Sequence, residues 1–283
     1  MAARTPSRRR SQRARRRNTA SDFGARVWVA IPAAAYAIAI IYLGDAVFAA
    51  GVLLLGFICL HELFRLYDRV HPVRLAGFLA LIGLAAAAHF GEVQQVLLAT
   101  VAVFPLVFLV ALILPEQTQS RLTPAMSITF LGVFWIGLAL AHAILLRELP
   151  HGDGIIVDIL VGTFLGDTAA YLGGRTFGTR PLAPRISPNK TVEGLLFGVG
   201  GAILAVWCAG LYQDWLGGWD AILLGVVVGV AAPIGDLFES KIKRDAGTKD
   251  TGTLFGAHGG ALDRLDAALF TLVAGYYLWV HLL

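Results

Sequence analysis

The sequence is poor in charge and in sulfur. Asp, Glu, Lys and Arg make up only 15% of 283 residues, and there are two cysteines. A mean hydropathy of +0.70 is outside the range of soluble globular domains. Cys59 and Cys208 both lie in apolar runs, without the Cys/His spacing of a zinc site, and no Walker-type glycine loop occurs. These absences exclude a soluble domain and give no indication of a disulfide framework, a zinc site or a P-loop.

Long apolar runs recur along the whole chain. A helix that crosses a membrane needs roughly 20 predominantly apolar residues. The runs predict an all-α, polytopic integral membrane protein with about nine transmembrane helices. The predicted segments are residues 27–43, 46–64, 75–90, 95–114, 125–146, 154–173, 192–214, 220–236 and 266–283.

The basic residues predict the orientation, because cytoplasmic loops retain Lys and Arg. If the N-terminus is cytoplasmic, all 23 Lys and Arg residues except Arg147 lie on the cytoplasmic side. Residues 1–25 are rich in Arg but lack interleaved aromatic residues. We expect them to form a disordered tail that is attracted to anionic lipid headgroups, not to nucleic acid.

Three carboxylates lie in or beside apolar segments. An isolated charge within a membrane helix costs about 2.5 kcal/mol or more, so Asp167 needs a partner or a polar cavity. Asp158 lies nine residues earlier, roughly 13 Å nearer the outer face, and is a weaker candidate. Glu62 is at a helix end, where it could reach the membrane interface at little cost, so its role stays open.

The segment "SPNKT", residues 187–191, stands directly before the seventh predicted helix. The preceding loop is rich in glycine and proline, which indicates a shaped segment and not a slack linker. Ser187 and Lys190 offer a hydroxyl and an ammonium beside a helix N-terminus, which is a plausible phosphate site. The alternative is that Thr191 is an ordinary helix cap.

Acidic residues flank the polar stretch 240–262. If the eighth helix continues past the membrane, residues 236, 239, 240 and 243 share one helix face, which carries Asp, Glu, Ser and Lys. Asp263 and Asp266 share a face at the start of the ninth helix, where carboxylates are favoured. Clustered carboxylates of this kind favour Mg²⁺. Basic residues for a polyphosphate lie beside them: Lys243, Arg244, Lys249 and Arg264.

Acidic side chains that can bind a metal and basic side chains that can bind phosphates lie on one surface. This combination is typical of phosphoryl or nucleotidyl transfer. A salt-bridged cytoplasmic loop is the alternative, but it does not explain the glycine-rich "GAHGGALDRLD". Within this chemistry, residues 240–266, "SKIKRDAGTKDTGTLFGAHGGALDRLD", closely resemble the signature of the phosphatidate cytidylyltransferase (CDP-diglyceride synthase) family. Residues 166–194, "GDTAAYLGGRTFGTRPLAPRISPNKTVEG", are similar to a second block of that family. Ala261 is the visible departure, at a position where the family usually carries a larger aliphatic residue.

The resemblance implies an integral inner-membrane enzyme that converts CTP and phosphatidate to CDP-diacylglycerol and pyrophosphate at the cytoplasmic face. It implies Mg²⁺, with a second, monovalent cation such as K⁺ left open. The expected partners are CTP, phosphatidate and membrane lipids, with no nucleic acid, and a homodimer is left open. We expect a basic tail over residues 1–25, a five-helix scaffold over 26–150, and a catalytic region over 151–283 with four helices and two polar loops.

The resemblance also implies residue roles. Asp236 and Asp263 are the expected metal ligands, with Asp266 as a third. Lys243, Arg244 and Lys249 would bind the triphosphate, and Lys190 with Ser187 would bind either that group or the lipid phosphate. Asp250 and His258 belong to the signature, although spacing assigns them no role. The expected catalytic residues are Asp236, Lys249, Asp250, His258 and Asp263. The expected substrate-binding residues are Asp167, Ser187, Lys190, Ser240, Lys243, Arg244 and Arg264.

Three alternatives are weighed against this interpretation. A CTP-dependent lipid or polyprenol kinase would transfer the γ-phosphoryl group to a neutral alcohol. A CDP-alcohol phosphotransferase is disfavoured because its spaced DG…AR…G…D…D pattern does not occur. A transporter would be expected to show repeated broken helices near the bilayer midplane, whereas the polar residues here cluster on one side in one half of the chain.

Overall fold

The structure is a computed structural model that describes residues 32–114, 116–252 and 259–282, except the side chains of residues 117, 118 and 282. The described residues fall into two compact units that divide between Tyr42 and Leu43. Helix α1, Pro32–Leu43, contains all the described residues of the first unit. The second unit holds the remaining elements.

The second unit is built almost entirely from helices. It also contains a 3₁₀ turn, Asp68–Val70, and a short helix of four residues, Glu116–Gln119. A π-helical stretch, Val133–Gly137, lies within the long helix Leu122–Glu148. The long helices are α2 (Asp45–Leu66), α3 (Arg74–Phe90), α4 (Val93–Leu112), α5 (Leu122–Glu148), α6 (Gly152–Phe177), α7 (Val192–Gly210), α8 (Gly218–Asp245) and α9 (Leu262–Leu282).

Within the described ranges, each predicted apolar segment coincides with α1 or with one of these long helices. Six of them, α2 and α4 to α8, are long and apolar enough to cross a membrane. Helices α1 and α3 are apolar but shorter. The all-α membrane class is therefore confirmed, while the count of nine spans stays a prediction.

Small residues let α6 and α7 pack closely along their length. A Cβ on Gly166 of α6 would stand 3.2 Å from the carbonyl oxygen of Gly198 and 3.2 Å from the Ala202 Cβ, both on α7. Such close backbone approach is how membrane helices associate without a hydrophobic driving force. The two helices run antiparallel, so the start of α7 lies beside the end of α6, where Gly174 is close to Thr191 and Gly194.

That joining segment is a β-hairpin. Strands β1 (Pro181–Ala183) and β2 (Ser187–Thr191) pair antiparallel. Glu193 fixes its base, because its carboxylate accepts the Thr179 N–H at 3.0 Å and the Thr179 hydroxyl at 2.7 Å. The Thr191 hydroxyl oxygen accepts the Gly194 N–H at 3.1 Å, which confirms the cap of α7. The shaped loop expected from sequence is therefore this hairpin.

The ends of α2, α8 and α9 meet. Helix α8 continues to Asp245, well past its predicted apolar segment, and α9 begins at Leu262. The hydroxyl of Tyr67, just after α2, donates to the Ile242 carbonyl at 3.2 Å and to Asp245 Oδ2 at 2.9 Å. Burial and this hydrogen bond to Asp245 raise the pKa of Tyr67. The segment that follows α2 therefore braces the polar end of α8.

Candidate active site

Lys243 is the centre of a nearly enclosed charge cluster between α8 and α9. Its Nζ lies 2.5 Å from Glu239 Oε2, one turn earlier on α8, and 2.8 Å from Asp263 Oδ1 on α9. The Lys243 side chain is 15% exposed and that of Glu239 is 1% exposed. The helical spacing places Glu239 and Lys243 on one face of α8, whereas the contact with Asp263 joins two separate helices.

Asp263 is held by more than Lys243. Its Oδ2 accepts the Thr251 N–H at 2.9 Å, the Thr251 hydroxyl at 2.8 Å and the Gly260 N–H at 2.7 Å. The backbone of Gly259 is left-handed, with φ of 83°, and a Cβ there would run into the Asp263 carboxylate. Glycine is required at such a position. This explains the glycine pair that precedes α9 in the sequence.

A second, more open cluster lies between the hairpin and α8. Lys190 of β2 forms an ion pair with Asp236. The Ser240 hydroxyl donates to Asp236 Oδ1 at 3.3 Å. Asp167 of α6 is close enough to interact electrostatically with both Asp236 and Lys190, so it has the charged partner that sequence reasoning required. The hairpin therefore brings Lys190 from the other polar block to the acids of α8.

Asp266 lies between the two clusters. It is close enough to interact electrostatically with Asp236 and with Glu239. Glu239 is buried, and the Asp266 carboxyl group is within hydrogen-bonding reach of its side chain. Carboxylates this close repel one another, and Lys190 and Lys243 are the two ammonium groups that the described ion pairs place among them. The arrangement has the hard oxygen ligands and the excess negative charge that suit a divalent cation.

The remaining predicted residues lie around these clusters. Arg244, Lys249 and Asp250 are exposed at the end of α8 and in the turn after it, and in the described chain their side chains form no ion pair. Arg264 is exposed in the first turn of α9. Ser187 opens strand β2. The prediction for His258 lies outside the described residues.

Sequence reasoning missed three polar partners. Glu239 was noticed on the helix face but not assigned to the site, although its spacing to Lys243 was a usable signal. Thr251 carried no signal, because a single Thr beside Asp250 is unremarkable in a polar loop. Glu62 was left without a role, yet its Oε1 accepts the Ala261 N–H at 3.0 Å and its Oε2 accepts the Leu262 N–H at 2.9 Å.

Two other polar groups lie apart from the clusters. Asp158 is buried in α6, where its Oδ1 accepts from Gln213 Nε2 at 3.0 Å. Asp45, His89 and Glu148, at the ends of α2, α3 and α5, are near enough to one another to hold an ion, but the Asp45 side chain is 87% exposed. Among the hydrogen bonds and ion pairs of the described residues, none joins either group to a residue predicted from the two polar blocks.

Comparison with known proteins identifies the family. The model of the cytidylyltransferase family matches residues 24–282. A phosphatidate cytidylyltransferase of Synechocystis is 33% identical over 297 residues, which cover 91% of this chain and 97% of that protein. Phosphatidate cytidylyltransferases of Brucella suis and Mycobacterium leprae are 42% and 35% identical over 48% and 56% of this chain, and each match covers 50% of the relative.

The matched region includes every element of both clusters. It also includes α2, which the two sequence blocks do not reach. The resemblance drawn from those blocks is therefore confirmed, and the protein is a nucleotidyltransferase. The chain belongs to the cytidylyltransferase family.

Proposed function

We propose that the protein transfers the cytidylyl group of CTP to phosphatidate, with Mg²⁺, and forms CDP-diacylglycerol and pyrophosphate. The observation that carries this proposal is the meeting of Lys190, Lys243 and the carboxylates of α8 and α9 at one set of helix ends. Two anionic substrates need cationic groups, and a metal that binds phosphate oxygens needs carboxylates. The names of the similar proteins support the choice of CTP and phosphatidate.

The proposed reaction is a single in-line displacement at phosphorus. A phosphate oxygen of phosphatidate forms a bond to the α-phosphorus of CTP. The bond from that phosphorus to the bridging oxygen of the β-phosphate breaks, and pyrophosphate leaves with the electron pair. Because the attacking oxygen is already anionic, the chain needs no general base, and its contribution is positioning and charge neutralisation.

The carboxylates of the site offer the hard oxygen ligands that a divalent cation prefers. Glu239 is buried beside Asp266, and Asp236 is close enough to Asp266 for the two carboxylates to interact electrostatically. We retain Asp236, Asp263 and Asp266 as the residues that would hold Mg²⁺. Asp263 Oδ1 accepts from Lys243 and, like any carboxylate oxygen, has a second lone pair. When bound, Mg²⁺ supplies positive charge to the phosphate oxygens.

The two lysines would take different parts in substrate binding. Lys190 is 25% exposed in an open ion pair with Asp236, so a substrate phosphate can compete with that carboxylate for it. Lys243 is enclosed and would act from a fixed position. Arg244 and Lys249, exposed beside the cluster, would bind the outer phosphates of CTP.

We also propose that the protein lies in the inner membrane with nine spans, a cytoplasmic N-terminus and a site that faces the cytoplasm. The distribution of Lys and Arg supports this orientation, because one added or missing span would scatter them over both faces. The tail 1–25, the scaffold 26–150 and the catalytic region 151–283 follow from the same layout.

The test is an assay with the purified full chain in lipid-containing micelles. With Mg²⁺, CTP and phosphatidate present, we expect pyrophosphate release together with CDP-diacylglycerol. Diacylglycerol in place of phosphatidate is the matched control, because it lacks the nucleophilic phosphate. A folded protein that releases no pyrophosphate with phosphatidate contradicts the proposal, and phosphorylation of the neutral lipid instead would favour the kinase alternative.

A further inference from the structure

Glu62 is a buried carboxylate from the helices that otherwise look like scaffold. It lies near the end of α2 and its residue is 6% exposed. Among the described residues, no Lys, Arg or His side chain forms an ion pair with it. A buried carboxylate without a cation must be stabilised by hydrogen bonds or by a helix dipole.

The N-terminus of α9 supplies Glu62 with both hydrogen bonds and a helix dipole. Its two oxygens accept consecutive backbone N–H groups, those of Ala261 at 3.0 Å and Leu262 at 2.9 Å. The first N–H groups of a helix have no partner within the helix and carry partial positive charge. The carboxylate therefore fixes the point at which α9 begins, one residue before Asp263.

The segments that hold Asp263 also fold around Glu62. A Cβ on either Gly252 or Gly260 would run into the Glu62 carboxylate. Gly252 follows Thr251, which donates twice to Asp263, and Gly260 donates to Asp263 directly. The same two short segments thus contact Glu62 on one side and Asp263 on the other.

We infer that Glu62 is a positioning residue for the nucleotidyl transfer, and that it acts through Asp263 without touching substrate. It seats the start of α9 and the Thr251–Gly252 segment, and these set where the Asp263 carboxylate lies relative to Lys243 and the substrate phosphates. The inference rests on the proposed function, because it assigns Glu62 a part in that reaction.

Glu62→Gln is the informative variant, because Gln has the same size but its amide nitrogen cannot accept an N–H. One of the two backbone donors then faces another donor, and the start of α9 must shift. A displacement of about 1 Å can cost about 100-fold in rate, so we expect kcat to fall by at least about tenfold. The KM for phosphatidate should change little. Exposed Glu116→Gln is the matched control and should keep wild-type kinetics.

A double-mutant cycle distinguishes this positioning role from a purely structural one. The second variant is Thr251→Val, which removes one donor to Asp263. If Glu62 acts through Asp263, the two variants together should cost clearly less in kcat than the product of their separate effects. If Glu62 only stabilises the fold, the melting temperature falls while kcat per folded molecule stays near wild type. Multiplicative effects on kcat, or a wild-type kcat in Glu62→Gln, overturn the inference.

Hydrogen exchange gives a readout that does not depend on activity. In Glu62→Gln the amides of residues 259–266 should exchange at least about tenfold faster, because their capping acceptor is lost. Amides of α4 should not change. Unchanged exchange at residues 259–266 contradicts the inference. If the wild type is inactive with CTP and phosphatidate, the proposed function fails, and this exchange measurement alone decides the role of Glu62.

Discussion

The two lysines of the site lie in contrasting surroundings. The Lys243 side chain is 15% exposed, with Asp263 at 9% beside it, and backbone N–H groups complete the cluster. Lys190 and Asp236 are 25% and 34% exposed and form one ion pair across separate elements. Enclosed pairs are fixed in place and costly to break, whereas open pairs contribute little to stability. The Lys243 cluster therefore maintains the geometry of the site, and the Lys190 cluster is free to exchange partners with substrate.

Asp263→Asn should have the largest effect, because it removes a charge from the enclosed cluster. Breaking a buried pair by removing one partner costs about 3–5 kcal/mol, so we expect a loss of that order in unfolding free energy. Activity should fall by more than about 100-fold. Denaturant unfolding in micelles and pyrophosphate release measure the two effects, with exposed Asp214→Asn as control. Wild-type stability in Asp263→Asn would show that the enclosed Lys243 cluster contributes no more to stability than the open Lys190 pair.

Asp236→Asn should separate activity from stability. Removing a proposed metal ligand should lower activity by about 100-fold. The open pair with Lys190 should contribute no more than about 1 kcal/mol to unfolding free energy. The same two assays apply. A loss of stability as large as that of Asp263→Asn would mean that the two clusters contribute equally to the free energy of unfolding.

Lys190→Gln should act on substrate binding more than on rate. We expect the KM of one anionic substrate to rise about tenfold, which corresponds to about 1.4 kcal/mol of lost attraction. Added salt should raise the wild-type KM more than that of the variant, because the variant has already lost the screened charge. Initial-rate kinetics at several salt concentrations test this. A variant with the wild-type KM for both substrates and the same salt response would remove Lys190 from the site.

Tyr67→Phe should have the smallest effect, since it removes one hydroxyl that braces α8 from outside both clusters. The lost hydrogen bonds to Ile242 and Asp245 should lower unfolding free energy by about 1 kcal/mol. Activity per folded molecule should not change. A fall in kcat without a fall in stability would show that the brace reaches further into the Lys243 cluster than its contacts indicate.

Local patterns predicted much of this architecture. The helices could be located from sequence because the apolarity of about 20 consecutive residues is enough to indicate a helix of membrane-spanning type. The i, i+3, i+4 spacing likewise placed Asp236, Ser240 and Lys243 on one face, and α8 does continue through them. Boundaries were less certain, as the earlier start of α9 at Leu262 illustrates.

Contacts between distant parts of the chain could not be predicted in the same way. Glu62 and Ala261 are 199 residues apart, and no local pattern links them. The hairpin was expected only as a shaped loop, because its strands are too short to show alternation. The role of Thr251 as a donor to Asp263 follows from the folded position of Asp263, which no sequence pattern near Thr251 indicates. Glu62 and Thr251 were missed because their partners lie on other elements, whereas the i, i+4 spacing of Glu239 and Lys243 is local and was a usable signal.

The central claim is that the two clusters transfer the cytidylyl group, and the fate of labelled CTP tests it most directly. The full chain is incubated with Mg²⁺, phosphatidate and CTP that carries radiolabel at either the α- or the γ-phosphate. We expect α-label in the lipid product and γ-label in released pyrophosphate. Label from the γ-phosphate in lipid, or α-label that stays entirely in soluble nucleotide while the protein is folded, would contradict it.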